Sequence, residues 1–397
     1  STYLLSLRRN SDRTAGLKFQ AERTMAAVRF VRSAWHVALA AAAVLWAAGP
    51  AAAFDHADVA RRSLEEHIIP SYQDFASRTQ SLADATRSFC DARSEAGLAK
   101  ARSVFKGAVI AWGRIGHIRF GPAVTDNRYD RILFWPDPRH VTMKQVGRLL
   151  RTKPEAALKP ENVATASVAT VGLRALEIVF FGPGSDDFAS ADKDKTHYRC
   201  GLALALSEDL HHTAAVIFED WTSSDRFQQL WLHPGADNSR YLKPSETTQA
   251  LVQSFADRLN RMLAYDIPSA DGEASNGNGK MPIFGTSGVA IDFLSASLDG
   301  LEALLKEGGF LDQSASGSAE DTEDVQQRLN VVLTELRFAR RALGLIAQSE
   351  ARGDFKTIPV AMWKSVRLPV ENAREIADET LKAEAGLSSG FNALDGD

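Results

Sequence analysis

Residues 162–184 read NVATASVATVGLRALEIVFFGPG, and the reading of this stretch decides the fold. From Asn162 to Leu173 it carries no charge. Arg174 and Glu177 then stand three residues apart, followed at once by Ile178-Val179-Phe180-Phe181. Pro160 is placed to start a helix and Gly182-Pro183-Gly184 to stop one, so the pattern predicts a helix over 161–181. Positions i and i+3 share a helix face, so Arg174 and Glu177 are able to pair. Two readings stand. The pair is a polar spot on an interior helix that lines a site, or it is an ion pair at a solvent edge. If both groups are buried the pair adds little net stability, because desolvation offsets attraction.

Working outward, nearly every long segment has the same spacing. Helices are predicted over 54–81 with a break at Pro70, then 98–118, 199–221, 245–264, 287–307, 321–350 and 369–385. Val, Ile and Thr never gather into long alternating runs, as strands require. Aromatic residues are only 8%, and Ala/Leu runs dominate, which favours helix over strand. The expected fold is all-α, two helical bundles packed together. The expected divisions are 1–53, 54–240 with a loop at 113–140, and 241–397. Two polar Gly/Ser stretches, SADGEASNGNGK at 269–280 and DQSASGSAEDTE at 312–323, read as flexible loops. GLRALEIVFFGPG from Gly172 is echoed by GLEALLKEGGF from Gly300, which is compatible with duplicated bundles.

The first 53 residues are expected to lie outside the fold. Arg29 and Arg32, the apolar run 37–48 and Ala51-Ala52-Ala53 have the three parts of a secretory signal, with cleavage before Phe54. The apolar run is too short to anchor in a membrane. Without residues 1–53 the chain has 39 Lys+Arg against 48 Asp+Glu, a formal charge of −9. That argues against nucleic-acid binding, which needs a basic footprint. The expectation is an acidic, soluble chain exported to the periplasm or cell envelope. In that compartment the two cysteines, Cys90 and Cys200, either form a disulfide or remain buried thiols.

The stretch 111–140, AWGRIGHIRFGPAVTDNRYDRILFWPDPRH, interleaves charges with aromatics and turn-forming Gly/Pro. His117, Arg119, Trp135 and Asp137 are its candidate site residues. The alternative is a loop that caps a bundle end. His211-His212 follow Glu208-Asp209 at a spacing that could seed a metal site, or that simply makes a polar helix face. FGTSG at 284–288 lacks the spacing of a nucleophile elbow and reads as a loop leading into a helix.

AWGRIGHIRFGP, YDRILFWPD and GLRALEIVFFG together resemble the imelysin-like proteins, also called M75 or insulin-cleaving peptidases. In the second half the resemblance rests on MPIFGTSGVAIDFLSASLDGLEALL. It implies two helical bundles with a site between them, a cell-envelope location, a link to iron acquisition and a signature G-x-H-x-x-E. Laid on this chain, Gly172 matches the glycine and Glu177 the glutamate, but Arg174 stands at the histidine. A guanidinium stays protonated and has no lone pair to give a metal. No metal ligand and no catalytic residue is therefore assigned. Iron or another divalent metal is a cofactor only by the resemblance. The leading expectation is a non-catalytic protein binding a small ligand or an envelope partner, with iron acquisition as its setting. The alternatives are an M75-type metal-dependent peptidase and an envelope scaffold.

Overall fold

The computed structural model describes residues 54–190, 192–269, 281–313, 319–349 and 355–384. The expected signal segment, residues 270–280 of the first expected loop and 314–318 of the second lie outside the described residues. Residues Ala53–Asp397 cluster as one compact unit.

Helix α1, His56–Arg62, is capped by the Asp55 carboxylate, which accepts from Asp58 N. A π-type turn, Ser63–Ile68, carries the chain into α2, Ile69–Ala92. Pro70 follows this turn closely, and Ile68 and Ile69 before it keep helical dihedrals, so the expected break is a π-type turn within a continuous helical run. Ser94 caps α3, Glu95–Ile115. The 113–140 segment is ordered, with 3-10 turns at Gly121–Ala123 and Thr125–Asn127 and a short helix, Arg128–Ile132.

The predicted helix over 161–181 is broken. It becomes Pro160–Ala164, a 3-10 turn Val168–Thr170, and α4, Gly172–Phe181. Gly172 is the reason for the break. Its φ is +72°, and a Cβ there would lie 2.1 Å from the Arg131 carbonyl oxygen and 2.5 Å from that of Ile132. The chain turns against the 128–132 helix before α4 begins.

The remaining long helices are α5, Lys193–Thr222; α6, Pro244–Arg261, extended by a π-type turn Met262–Asp266; α7, Ala290–Glu307; α8, Ala319–Gln348; and α9, Val360–Glu384. Helix α8 begins inside the expected loop 312–323, and Phe310–Asp312 form a 3-10 turn. Helix α9 begins well before Pro369, which lies in its interior. Trp363, Val366, Val370, Ala373, Ala377 and Leu381 are buried at helical spacing on both sides of that proline. Packing along one face outweighs the break that Pro369 would otherwise cause.

One bundle gathers α2, α3 and α5, with α4 against α5; the other gathers α6, α7, α8 and α9. Helices α3 and α7 pack together and form the seam between the bundles. At Gly300 of α7 a Cβ would lie 2.0 Å from the Arg114 carbonyl oxygen of α3, so only glycine permits this approach. Cys90 and Cys200 form a disulfide with Cα atoms 5.6 Å apart, tying the end of α2 to α5. Among the described residues no helix is long and apolar enough to cross a membrane.

Candidate functional site

Glu177 lies on the buried face of α4 and is 1% exposed. An ionised carboxylate is tolerable there only if its oxygens receive donors. They do. Oε1 accepts from the Ser287 backbone N at 2.9 Å and from Ser287 Oγ at 2.8 Å, and Oε2 pairs with Arg174 Nη1. Ser287 Oγ is also 3.0 Å from the Phe284 carbonyl. A hydroxyl has one proton, and the carboxylate is the stronger acceptor. Ser287 belongs to the second bundle's side of the seam, in the turn Met281–Gly288 that precedes α7. Phe284 holds that turn at a φ of +57°, a strained value for a residue with a side chain. Glu177 thus clasps one bundle to the other.

Arg174 keeps 16% of its side chain exposed. Its guanidinium lies 5.4 Å from the Trp135 ring and 5.8 Å from the Phe284 ring, one aromatic from each side of the seam. Its Nε is buried without a hydrogen-bond partner. Trp135 is the next link. Its Nε1–H donates to Asp266 Oδ1 at 2.8 Å, and its carbonyl accepts from Arg261 at 2.5 Å. Asp266 Oδ2 pairs with Arg258 at 2.6 Å, and Arg258 donates to Ser297 Oγ at 2.8 Å. A buried polar chain therefore runs along the seam from Ser287 to Ser297. The space beneath Trp135, lined by Tyr129, Arg258, Arg261, Asp266 and Phe293, is a cavity of about 10 Å³. That is room for about one water.

The other sequence candidates fall in different places. Gly172 serves backbone geometry. Arg119 is exposed, with its guanidinium 4.8 Å from the Tyr129 ring. It bears, with Arg261, on Asp257, whose carboxyl is pushed up by burial and drawn back by Gln253 and these two cations. Asp137 is buried, and its two oxygens accept from Val141 N and Thr142 N, so it holds the start of the helix Val141–Thr152. His117 is buried against His67 and belongs to a different cluster. Asp209 is taken by Arg131 through both oxygens, Glu208 pairs with Arg87, and the His211 ring meets Thr79. Among the described residues no group of three or more His, Cys, Asp or Glu side chains is arranged to hold a metal.

Sequence reasoning missed Ser287, Asp266 and Arg258. FGTSG was visible as a loop, but nothing in it announces that its serine reaches a glutamate 110 positions earlier.

A family model described as imelysin, Peptidase_M75, matches residues 68–274, more than half of the chain. The chain belongs to the imelysin family. Two solved structures share the imelysin fold. An imelysin-like protein from Psychrobacter arcticum 273-4 matches with a TM-score of 0.68 at 19% identity, over 85% of this chain and 99% of its own. A putative iron-regulated protein A precursor from Parabacteroides distasonis ATCC 8503 matches with a TM-score of 0.58 at 12% identity, over 82% of this chain and 95% of its own. No curated protein matches the chain.

Proposed function

We propose that this chain is a non-catalytic imelysin-family protein of the cell envelope, exported by its N-terminal segment, that binds an anionic ligand at the outer edge of the seam, where Arg174 and Arg119 reach solvent. The observation that carries this reading is the clasp itself. Where the family signature has a histidine, this chain has Arg174, and Glu177 has donors on both oxygens. A divalent cation at Glu177 would have to displace those donors and sit beside a fixed positive charge. An anion meets the opposite field. Arg174 keeps 16% of its side chain exposed, Arg119 is exposed against the Tyr129 ring, and Arg261 donates to the Trp135 carbonyl.

The printed name of the Parabacteroides structure, an iron-regulated protein precursor, supports placing the ligand in iron acquisition. On this reading iron arrives as an anionic chelate, not as a bare ion. Calorimetric titration of the purified chain with ferric citrate, citrate and ferrous ion tests it. Ferric citrate is expected to bind, ferrous ion is not, and Arg174→Gln is expected to weaken the chelate at least about tenfold, the size of one charge-assisted contact. Chelator-sensitive cleavage of a protein substrate, lost in Glu177→Gln, would replace this reading with the peptidase one.

One observation favours an envelope adaptor as a second reading. Val331, Phe338 and Leu345 stand seven residues apart on α8, and all three are exposed. Co-purification with an envelope protein that Phe338→Glu abolishes would support that role.

A further inference from the structure

The seam holds a second buried polar group that the ligand reading does not use. His67, in the π-type turn between α1 and α2, is 1% exposed, and His117, just beyond α3, is 2% exposed. Their Nε2 atoms are 3.0 Å apart, and the ring centroids 5.0 Å. A neutral imidazole has one N–H and one lone pair, so a single proton lies between the two rings. At the outer end, Glu307 of α7 places Oε2 3.5 Å from His67 Nδ1 and is itself 45% exposed. A carboxylate there favours the proton on His67 Nδ1. His67 Nε2 is then the acceptor and His117 Nε2–H the donor. The Nδ1 atoms of both rings are buried without a hydrogen bond of normal geometry; Glu307 faces that of His67, and the Arg114 carbonyl is the backbone acceptor available to His117.

The charged groups facing the pair come from three elements. Arg114 of α3 faces His67, Arg258 of α6 faces His117, and Glu307 of α7 closes the solvent end. Burial depresses both imidazoles. At His67 Glu307 opposes burial and the Arg114 side chain reinforces it; at His117 the neighbouring His67 and Arg258 add to burial and the Arg114 backbone carbonyl opposes it.

We propose that the His67–His117 pair is a proton-operated switch in the seam, taking up one proton as the medium acidifies and loosening the contact between the bundles. The entering proton occupies His117 Nδ1, where the Arg114 carbonyl is the available acceptor. The shared proton then shifts from His117 Nε2 to His67 Nε2. The positive charge comes to rest on His67 beside the Glu307 carboxylate, and His117 is again neutral with its proton on Nδ1. No bond other than N–H changes, and one proton is gained. A second proton would set two adjacent imidazoliums between Arg114 and Arg258, so uptake stops at one while the fold holds. The charged pair brings a cation into the field of Arg258, which carries Asp266 and through it Trp135.

The sign follows from linkage. Both native imidazoles titrate below their unfolded value of about 6.5, so the unfolded chain binds more protons on acidification. The stabilisation is present above about pH 6.5 and is lost as pH falls below it. Each imidazole that stays neutral in the fold weakens the folded-to-unfolded ratio roughly 25-fold between pH 7 and pH 5.

The test is urea unfolding of the whole chain at pH 7 and pH 5, with ¹⁵N imidazole NMR of the native protein. The wild type is expected to lose stability on acidification, and His117→Gln to lose at least about tenfold less. Glu307→Gln, a change at a half-exposed side chain, is expected to deepen the loss between pH 7 and pH 5, because the charged His67 loses its counter-ion and the folded pair takes up its proton only at lower pH. The NMR spectrum is expected to show His67 protonated at Nδ1 and His117 at Nε2 at pH 7. Rings that titrate independently near pH 6.5 would overturn the proposal. So would a Glu307→Gln profile that superimposes on the wild type. The NMR arm reads the wild type and holds even if the histidine variants do not fold.

Discussion

Two buried polar groups hold the same seam by opposite means. The Arg174–Glu177–Ser287 clasp is ionic, and the carboxylate has a donor on each oxygen. The His67–His117 pair is neutral, and the Nδ1 atoms of both rings lack a hydrogen bond of normal geometry. The difference shows what decides the charge state of a buried group. A carboxylate stays ionised in a core when N–H and O–H groups replace its water. An imidazole is held neutral when burial and neighbouring cations outweigh the acceptors that face it, as they do at both rings here. The second group should respond to pH near neutrality.

The largest effect is expected from breaking the ionic side. Glu177→Ala leaves Arg174 buried without its partner and two Ser287 donors unmet, and should cost about 3–5 kcal/mol in urea unfolding. Trp135→Phe removes the indole donor from Asp266 and should cost about 1–3 kcal/mol, since the buried carboxylate oxygen loses its partner. Acidification from pH 7 to pH 5 should act mainly through the histidine pair, with the sign derived above. If Glu177→Gln flattens the acid response as strongly as His117→Gln, the contrast between the two groups fails. Arg174→His sharpens the comparison from the other direction. It returns the signature histidine and removes the fixed charge, so ferrous or zinc ion should raise the melting temperature of this variant but not of the wild type. The smallest effect is expected from Ser287→Ala, about 1 kcal/mol, because the backbone N–H still reaches Glu177 Oε1.

Much of the fold was legible from spacing alone. The helices around 98–118, 199–221, 245–264 and 287–307 lie where the apolar period placed them, to within a few residues. The disulfide also followed from two cysteines in a chain read as exported. The errors share a cause. The helix predicted over 161–181 breaks because Gly172 meets the Arg131 and Ile132 carbonyls, a contact between segments 40 residues apart. Helix α9 runs through Pro369 because six buried side chains hold it to the core. Local signals cannot report either contact.

The site divides in the same way. Arg174, Glu177 and Trp135 were legible as candidates because charge inside an apolar run and aromatics beside turns are local signals. Ser287, Asp266 and His67 were missed because a serine in a Gly loop, an acid after a helix and a lone histidine acquire meaning only from distant partners. Asp137 was a reasonable candidate that turned out to hold two backbone N–H groups at a helix start.

The central claim is that Glu177 holds the bundles together across the seam. A double-mutant cycle of Glu177→Gln and Ser287→Ala, read by urea unfolding at pH 7, tests it most directly. The account predicts a coupling of about 1 kcal/mol between these residues of different bundles, the whole cost of Ser287→Ala in the wild type. Losses that simply add, within about 0.5 kcal/mol, would contradict it.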